Sequence, residues 1–391
     1  MGLSYRPRSQ CARRAILTII DPLAAMPPAE RILVIRLGAI GDVVRTLPAV
    51  SALRAACPAA RITWLVERAA SSILEGQPWI DEVRIFPRES LRTAIRGARV
   101  ATLVREAWAF VRALRGERFD LVLDFHGILK SGLLARASGA PLRVGYAPPF
   151  GRELAWLFAN ARARLTPERA SRFDRNEALV RFLGVRAASA AVPLLVDPAA
   201  REKIAAALGP GPAPIVVHPG TSAGTPHKRW PAAGYAALAR ALRSKRGVFT
   251  VVSAGPDAAE RASAAEVVRL AGGAARLAPE TTSLADLAAL FVQCRLYAGG
   301  DTGPMHVASL AGTPVVQIMG PTDPVENEPW SGTPSRTVRA GVACSPCRRG
   351  CSAATCMAAV SPQAVIEAAL TLLDAAPTEP GAGMAGPRAA S

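Results

Sequence analysis

The stretch Gly299-Gly300-Asp301-Thr302-Gly303-Pro304-Met305-His306 joins an apolar segment, residues 290–297, to an Ala-rich segment with helical character, residues 307–311. A strand, a tight glycine turn and a helix together point backbone N–H groups and the positive end of the helix at an anion. Thr302 can cap the helix, and Gly303 lets a ligand approach the backbone closely. The stretch therefore predicts a phosphate-binding turn, although glycine turns that merely join a strand to a helix are also common.

Apolar runs alternate with helical patterns on both sides of this turn. In the first half we predict strands at residues 32–35, 62–66 and 121–123 and helices at 43–56 and 100–114. In the second half we predict strands at 215–217, 248–252, 296–298 and 315–318 and helices at 232–241 and 258–270. Such alternation is typical of parallel sheets covered by helices. It predicts an α/β protein with two Rossmann-like domains that face each other across a ligand-binding cleft.

The chain of 391 residues is long enough for two domains, each with its own core. We predict a disordered extension over residues 1–29, an N-terminal domain over 30–186, a linker over 187–213, a C-terminal domain over 214–376 and a disordered tail over 377–391. The linker region is rich in Ala and Pro, apart from a short helix near 201–208. The tail is rich in Gly, Pro and Ala, which disfavours a packed core.

The composition predicts neither secretion nor insertion into a membrane. Residues 15–20 form a short apolar run behind Arg13 and Arg14, but Asp21-Pro22 ends the run before it reaches the length of a signal peptide. No apolar stretch approaches the roughly 20 residues that are needed to span a bilayer. We therefore expect a cytoplasmic protein.

The formal net charge of +17 is concentrated in the first half of the chain. Residues 1–190 contain 30 Lys and Arg against 16 Asp and Glu. This excess favours an anionic partner, namely nucleic acid, an acidic membrane surface or a phosphorylated substrate. An Arg-rich composition with solvated helix faces explains the same excess about equally well. Because the sequence has no zinc-finger or aromatic-interleaved basic motif, we expect no nucleic acid partner.

A second glycine turn, Arg36-Leu37-Gly38-Ala39-Ile40-Gly41-Asp42, follows the first predicted strand. It lacks the three-glycine spacing of a dinucleotide-binding fingerprint, so an NAD-dependent oxidoreductase fits poorly. The turn ends in a carboxylate, Asp42, at the start of a helix. Asp42 is a candidate catalytic base, but simple helix capping, at roughly 1 kcal/mol, explains its position as well. A helix N-terminus also lowers the pKa of an acid and so weakens it as a base.

The second half begins with another turn, His218-Pro219-Gly220-Thr221, which follows a predicted strand and precedes Lys228-Arg229-Trp230-Pro231. A glycine turn, a cationic loop and a new helix suit a pyrophosphate. The charge of Lys228 would neutralise a departing nucleoside diphosphate. The alternative is an ordinary Lys-Arg pair on the surface.

Together these motifs resemble the ADP-heptose:lipopolysaccharide heptosyltransferases, glycosyltransferase family 9. The resemblance runs from about residue 31 to about residue 373. Three of the four blocks that carry it are RILVIRLGAIGDVVRTLPAV, VVHPGTSAGTPHKRWP and YAGGDTGPMHVASLAGTPVVQIMGPTDP. The fourth is the middle block, DLVLDFHGILKSGLLAR with VGYAPPFGRELAWLFAN, and it looks most like that of heptosyltransferase I.

The resemblance implies a GT-B fold whose second domain binds the donor, ADP-heptose, and whose first domain binds the acceptor, Kdo-lipid A. Asp42 matches the family's proposed catalytic base, and Lys228 matches the lysine that contacts the donor phosphates. The other donor-binding residues are Glu260, Asp301, Thr302, Gly303 and His306, together with Gly220 and Thr221 of the adjoining turn. Lys130, Arg143 and Arg175 lie at basic positions of the acceptor domain that suit Kdo carboxylates and lipid phosphates.

The implied chemistry is an inverting transfer, because the family's donor is β-linked and its product is α-linked. Inversion in one displacement requires one base on the face opposite the leaving group, and Asp42 would supply it. Lys228 and the helix that begins near Thr302 would neutralise the diphosphate. The sequence has no Asp-x-Asp pair at this site, so we expect no catalytic metal and no required cofactor.

Four of the seven cysteines form the cluster Cys344-x2-Cys347-x3-Cys351-x4-Cys356. Four thiols at this spacing suit a structural zinc ion or an iron–sulfur cluster. A small apolar loop with unligated thiols is the alternative. Similar cysteine-rich stretches occur in some members of the family, outside the residues credited with chemistry.

The leading hypothesis is therefore a heptosyltransferase that works peripherally at the cytoplasmic face of the inner membrane. A second is another nucleotide-sugar glycosyltransferase, or a sugar-nucleotide epimerase, on the same scaffold. A third is a non-enzymatic protein that binds a polyanion or a membrane surface through the basic first half. The pairing of Asp42 with Lys228 favours an enzyme over the third hypothesis.

Overall fold

Two parallel sheets with helices on their faces make up the computed structural model, which describes residues 18–166, 169–185, 194–347 and 350–375. The first sheet contains β1 (Thr18–Ile20), β2 (Arg31–Ile35), β3 (Arg61–Val66), β4 (Glu82–Ile85), β5 (Leu121–Asp124), β6 (Leu142–Tyr146) and β7 (Ala161–Thr166). Its strands lie in the order β1-β7-β6-β5-β2-β3-β4. Only β1, which pairs with β7, runs antiparallel to its neighbour.

The second sheet is parallel throughout. It contains β8 (Ile215–His218), β9 (Thr250–Val252), β10 (Ala275–Leu277), β11 (Leu296–Gly300), β12 (Val315–Met319) and β13 (Ser335–Arg339), in the order β10-β9-β8-β11-β12-β13. The α/β class and the pair of parallel sheets predicted from the sequence are thereby confirmed.

The helices divide between the two sheets. The first half contains α1 (Ile40–Val44), α2 (Leu47–Ala56), α3 (Arg88–Arg96), α4 (Val100–Gly116), α5 (Leu129–Ala137) and α6 (Arg172–Phe182). The second half contains α7 (Pro198–Leu208), α8 (Ala232–Arg246), α9 (Ala258–Ala271), α10 (Leu284–Val292), α11 (Gly303–Leu310), α12 (Thr355–Ala358) and α13 (Pro362–Ala375). Short 3-10 turns lie at Arg68–Ile73, Ala155–Leu157 and Pro226–Lys228.

Each sheet reverses its strand order beside one strand, which is β2 in the first sheet and β8 in the second. The chain passes from β2 outward to β3 and β4 and then returns to place β5 on the other side of β2. In the same way β9 and β10 lie on one side of β8, and β11 lies on the other. Crevices at such reversal points, outside the carboxyl ends of the strands, are where open α/β sheets bind ligands. The predicted turns after β2, β8 and β11 all lie at these points.

The first sheet packs apolar side chains on both faces, because successive residues of a strand point to opposite sides. Ile32 and Val34 of β2 join a large apolar cluster that continues into the second half as far as Val315 and Trp330. Leu33 and Ile35 join a smaller cluster under α3, α4 and α5. The rings of Phe173 in α6 and Trp330 lie 5.0 Å apart, so the two halves share buried contacts.

The predicted helix over 43–56 is divided into two. Pro48, which has no backbone N–H, occupies the first turn of α2, where the missing donor costs nothing. The helix therefore restarts at Leu47 instead of continuing from α1. Strands β4, β6, β7, β10 and β13 were not predicted, because their apolar runs are short or interrupted by arginines.

Part of the predicted extension over residues 1–29 is ordered, which corrects that prediction. Thr18–Ile20 forms β1 and covers the edge of β7, whose backbone N–H and C=O groups would otherwise be unpaired. Within the predicted linker, α7 begins after Asp197, whose side chain accepts a hydrogen bond from Ala199 N. Residues 1–17, 186–193 and the predicted tail, 377–391, lie outside the described residues. The domain boundaries themselves remain predictions.

Among the described residues, the structure contains no helix that is both long enough and apolar enough to cross a membrane.

We predict that Trp64→Ala lowers the free energy of unfolding by about 3–5 kcal/mol, because Trp64 of β3 is fully buried and its indole N–H donates to Arg36 O at 3.2 Å. The matched control is Trp108→Ala, since Trp108 of α4 is 65% exposed. That control should change the free energy by less than about 0.5 kcal/mol. Urea denaturation measures both, and equal losses in the two variants would contradict the packing described here.

Candidate functional site

Asp42, in the first turn of α1, is held by three guanidinium groups. Its carboxylate lies 2.6 Å from Arg36, 2.5 Å from Arg45 and 3.1 Å from Arg172. Burial raises the pKa of Asp42, but the charges of Arg36, Arg45 and Arg172 outweigh it and hold the pKa well below its ordinary value. Asp42 is therefore ionised at neutral pH. The same charges make it a weaker base than its position alone suggests.

Arg45 connects this carboxylate to the second half of the chain. Its side chain is almost fully buried and donates to His306 Nε2 at 2.9 Å and to Asn327 Oδ1 at 3.1 Å, as well as to Asp42. Because a guanidinium only donates, the Nε2 atom of His306 accepts this bond. Burial and then the charge of Arg45 lower the pKa of His306 to about 4, so the imidazole is neutral.

The predicted donor loop lies directly beyond His306. Asp301, at the end of β11, binds Lys228 Nζ at 3.0 Å and lies 3.7 Å from His306 Nε2. Burial raises the pKa of Asp301, but the positive charges of Lys228 and Arg45 outweigh it and hold the pKa below its ordinary value. The structure thus brings the predicted residues Asp301, His306 and Lys228 into one cluster, which Arg45 joins to Asp42.

Two glycines allow the two halves to meet at this point. A methyl group on Gly41 would lie 3.0 Å from His306 Cδ2 and 3.4 Å from Gly303 Cα. A methyl group on Gly303 would lie 3.3 Å from Ile40 Cβ. Contacts this short require neighbouring atoms to move, so only glycine lets α1 and α11 approach so closely. The first turn of each helix therefore faces the other across the boundary between the sheets.

The turn after β8 supports this cluster rather than contacting Asp42. The hydroxyl of Thr221 donates to Thr225 O at 3.0 Å and accepts from Arg229 Nε at 3.0 Å, which orders the loop that carries Lys228. A methyl group on Gly220 would lie 2.7 Å from Glu260 Oε2. Glu260 accepts a hydrogen bond from Gly255 N at 2.9 Å, and burial raises its pKa. Gly220 and Glu260 are therefore neighbours.

Two of the three predicted acceptor residues lie at the carboxyl edge of the first sheet, on the same edge as Asp42. Lys130, at the start of α5, binds Glu67 Oε1 at 2.9 Å, and Arg88 at the start of α3 binds the other oxygen of Glu67 at 2.6 Å. Arg175 of α6 lies over the ring of Phe150, 4.2 Å from its centroid. Burial, together with the like charges of Arg172 and Arg36, lowers the pKa of Arg175 to about 10.

The third predicted acceptor residue, Arg143, is not at the cleft. Arg143 lies near the start of β6, so it is at the amino edge of the sheet, opposite the edge that carries Asp42. Its guanidinium donates to Phe158 O at 2.9 Å and to Ala140 O at 2.7 Å. These bonds tie together the local chain, and the structure removes Arg143 from the acceptor set.

The four clustered cysteines are free thiols that differ in their exposure. Within the described ranges, no three His, Cys, Asp or Glu side chains form a group that could hold a metal ion. Cys356 is buried at the start of α12, where it packs close to Gly320, whereas Cys344 and Cys351 are exposed. A structural zinc at the four cysteines and the alternative of unligated thiols therefore both stay predictions.

Several functional residues at this site were not predicted. Arg36, Arg45 and Arg172 surround Asp42, and Asn327 orients Arg45. Arg36 begins the glycine turn that ends in Asp42, and Arg45 lies three residues after Asp42, so their proximity in the sequence was an available signal. No local signal marks Asn327, which lies 282 positions from Arg45.

Unpaired buried polar atoms surround the same cluster. Among the described residues, the side-chain atoms without a hydrogen-bond partner include Arg36 Nε, Arg45 Nε, Arg175 Nε, Thr302 Oγ1 and His306 Nδ1. Buried polar atoms are normally paired, so several orphans at one place indicate a surface built to meet a polar ligand. The arrangement is a cationic, donor-rich cluster with two carboxylates, Asp42 and Asp301, whose pKa values are both lowered.

Comparison with known proteins agrees with this chemistry. Residues 107–357 match the model of glycosyltransferase family 9 (heptosyltransferase). Lipopolysaccharide heptosyltransferase 1 of Pseudomonas aeruginosa is 32% identical over 311 residues, which cover 75% of this chain and 79% of that protein. Lipopolysaccharide core heptosyltransferase OpsX of Haemophilus influenzae is 23% identical over 310 residues, covering 79% of this chain and 84% of that protein.

A solved structure shares the same fold. The structure described as E. coli heptosyltransferase WaaC with ADP superposes with a TM-score of 0.68 at 21% identity, covering 88% of this chain and 99% of that one. The GT-B arrangement of two Rossmann-like domains that the resemblance implies is thereby confirmed.

We predict that Arg45→Met lowers the free energy of unfolding by about 3 kcal/mol, because it leaves the buried acceptors of Asp42, His306 and Asn327 without their donor. Arg172→Gln removes a half-exposed partner of the same carboxylate and should cost less than about 1 kcal/mol. Denaturant unfolding of both variants measures the difference. If Arg172→Gln costs as much as Arg45→Met, Arg45 does not hold the two halves together.

Proposed function

The chain belongs to glycosyltransferase family 9, and we propose that it transfers a heptose from ADP-L-glycero-D-manno-heptose to the Kdo inner core of lipopolysaccharide, with inversion at the anomeric carbon. The acceptor would be Kdo-lipid A, reached at the cytoplasmic face of the inner membrane. One observation carries the proposal: Arg45 joins Asp42, on the acceptor side, to His306 and the donor loop at 2.9 Å or less. The names of the relatives support the choice of lipopolysaccharide as substrate.

The donor diphosphate would lie at the N-terminus of α11. The eight residues of this helix direct unpaired backbone N–H groups and a positive dipole end toward the space beside Lys228. The unpaired hydroxyl of Thr302 would donate to a phosphate oxygen. On departure of ADP, Lys228 would neutralise the new charge, so we propose that the reaction needs no cofactor. Glu260, beside Gly220, is placed to accept from the ribose hydroxyls.

Asp42 would accept the proton of the acceptor hydroxyl as that oxygen attacks the anomeric carbon. The displacement forms one C–O bond and breaks the bond to ADP, which leaves with the electron pair. Because the pKa of Asp42 is depressed, its basicity has to increase when the acceptor binds. A carboxylate of Kdo would draw Arg36 or Arg172 away from Asp42, and the loss of these positive neighbours would raise the pKa of Asp42.

The acceptor would therefore be held by Arg172, Arg175 and Lys130, which lie on the same edge of the first sheet as Asp42. Lys130 is 39% exposed, so its ammonium would reach an anionic sugar while it remains beside Glu67, and Arg175 would add positive charge next to it. The middle block of the sequence, which contains Lys130, favours heptosyltransferase I as the subfamily. The epimerase and the other nucleotide-sugar transferases would not require these cations beside the base.

We predict that Asp42→Ala and Asp42→Asn each reduce kcat by about 10²–10⁴-fold, because the attacking hydroxyl loses its base, while the affinity for ADP is unchanged. Lys228→Met should lower kcat as well and, unlike the Asp42 variants, weaken ADP binding by about tenfold or more. Transfer to Kdo-lipid A and calorimetric titration with ADP measure the two effects. Near-normal turnover of Asp42→Ala would refute the assignment of the base.

We predict a change in pH dependence when arginines are removed from Asp42. In the parent, kcat/KM should show no loss from protonation of Asp42 above about pH 4, because its pKa is depressed. The double variant Arg36→Gln/Arg172→Gln removes two of the charges that oppose the effect of burial, so the pKa of Asp42 rises. The fall in kcat/KM at acid pH should therefore move to higher pH. Burial raises the pKa of Asp124 to about 6 and Arg36 opposes that rise, so the single variant Arg172→Gln, which keeps Arg36, separates the titration of Asp42 from that of Asp124.

The matched control for this pH profile is Arg169→Gln, because Arg169 pairs with Asp323 at 2.8 Å and is exposed. Its profile should follow that of the parent. Coincident profiles for the parent and for Arg36→Gln/Arg172→Gln would show that Asp42 is not the group whose ionisation matters.

A further inference from the structure

Helix α4 exposes large apolar side chains that nothing in the described chain covers. Val100, Val104 and Trp108 lie at successive i, i+4 positions, and Val104 and Trp108 are 60% and 65% exposed. Leu114 is the one fully buried residue of this 17-residue helix. Residues four apart lie on the same face of a helix, so the three side chains form one exposed apolar row.

The neighbouring helices extend this surface. On their inner sides α3, α4 and α5 contribute Leu91, Phe110 and Leu134 to one apolar cluster on the first sheet. On their outer sides they expose Ile95, Val100, Val104, Trp108, Leu129 and Leu133. We call this outer surface, defined by these six residues, the docking face.

Positive charge borders the docking face. The exposed arginines of α3, α4 and the turn between them are Arg88, Arg92, Arg96, Arg99, Arg105, Arg112 and Arg115. Within α3 and α4, all of whose residues are described, Glu89 is the one exposed acidic side chain. The row of Arg88, Arg92 and Arg96 repeats at i, i+4, so it lies along one side of α3. Apolar side chains beside an almost unopposed positive charge fit a surface that is both apolar and anionic.

An anionic phospholipid bilayer matches these properties better than a protein partner does. Trp suits the boundary between lipid and water, aliphatic side chains enter the acyl region, and arginines reach phosphate groups beside them. A second copy of this chain docked through the same face would set these arginines against each other. The charge therefore disfavours a symmetric dimer.

The docking face also borders the acceptor side of the cleft. Glu67 binds Arg88, the first residue of α3, and Lys130, in the first turn of α5. Glu67 N in turn donates to Leu37 O at 2.7 Å, within the turn that leads to Asp42. One layer of contacts therefore connects the exposed helices to the carboxyl edge of the first sheet. A lipid-anchored acceptor held at this face would have its sugar close to the cleft.

We propose that the docking face of α3, α4 and α5 binds the surface of an anionic phospholipid bilayer and presents the membrane-anchored acceptor to the cleft. The bilayer contact stands on the exposed residues alone, whereas the presentation of the acceptor rests on the proposed function. The test uses the full chain with vesicles of phosphatidylethanolamine and phosphatidylglycerol, and with vesicles of phosphatidylcholine only. Sedimentation with the vesicles measures binding.

The full chain should bind the vesicles that contain phosphatidylglycerol and bind phosphatidylcholine weakly. Val104→Ser/Trp108→Ser and Arg105→Gln/Arg112→Gln should each weaken this binding by about tenfold. The matched controls are Leu277→Ser, on the second sheet, and Arg240→Gln/Arg243→Gln, on α8, which should bind as the parent does. All of the substituted side chains are exposed, so folding should be preserved, and circular dichroism checks this.

Three results would overturn the proposal: no binding of the full chain to either vesicle, unchanged binding of both docking-face variants, or a change in their oligomeric state in place of vesicle binding.

Transfer assays separate this proposal from the proposed function. The variants should lose transfer to Kdo-lipid A embedded in vesicles and keep transfer to its deacylated, water-soluble form. If the parent transfers heptose to neither acceptor but the variants still lose vesicle binding, the proposed function is refuted and the bilayer contact stands.

Discussion

The buried guanidinium of Arg45 is the charge on which the site depends. A buried cation needs a negative charge nearby and acceptors for its N–H groups. Asp42, three residues before Arg45, supplies the charge. His306 and Asn327, in the other half of the chain, accept hydrogen bonds from it. This requirement explains why α1 and α11 approach so closely and why Gly41 and Gly303 lack side chains. Together with Arg36 and Arg172, Arg45 also keeps Asp42 ionised. It also gives the first half a fixed position relative to the donor loop.

Much of the fold follows from the sequence because local patterns determine it. The predicted strands at 32–35, 121–123 and 315–318 differ by one or two residues from β2, β5 and β12. Their short apolar runs, which alternate with helical patterns, favour buried strands. Contacts between distant segments explain the differences. β1 becomes a strand only because the edge of β7 is available to it, and no feature of residues 18–20 alone indicates that pairing.

The site was predictable where residues follow the carboxyl end of a strand. Asp42 after β2 and Asp301 at the end of β11 both lie there, and the structure brings them to one cluster through Arg45. Arg143 was assigned to the acceptor site on its positive charge alone. Its position near the start of β6 places Arg143 at the edge of the sheet opposite Asp42. The partners of Arg45 were not predictable, since His306 lies 261 positions away. Spacing alone likewise did not reveal that Cys356 is buried while Cys344 is exposed.

The most direct test of the account is a structure of the protein with an unreactive ADP-heptose analogue and a soluble Kdo acceptor. The account predicts an Asp42 oxygen at about 2.6–3.2 Å from the attacking hydroxyl, with the diphosphate at the N-terminus of α11 beside Lys228. A hydroxyl that instead lies against a different carboxylate, or a diphosphate away from α11, would contradict the central claim that Arg45 joins a base and a donor site.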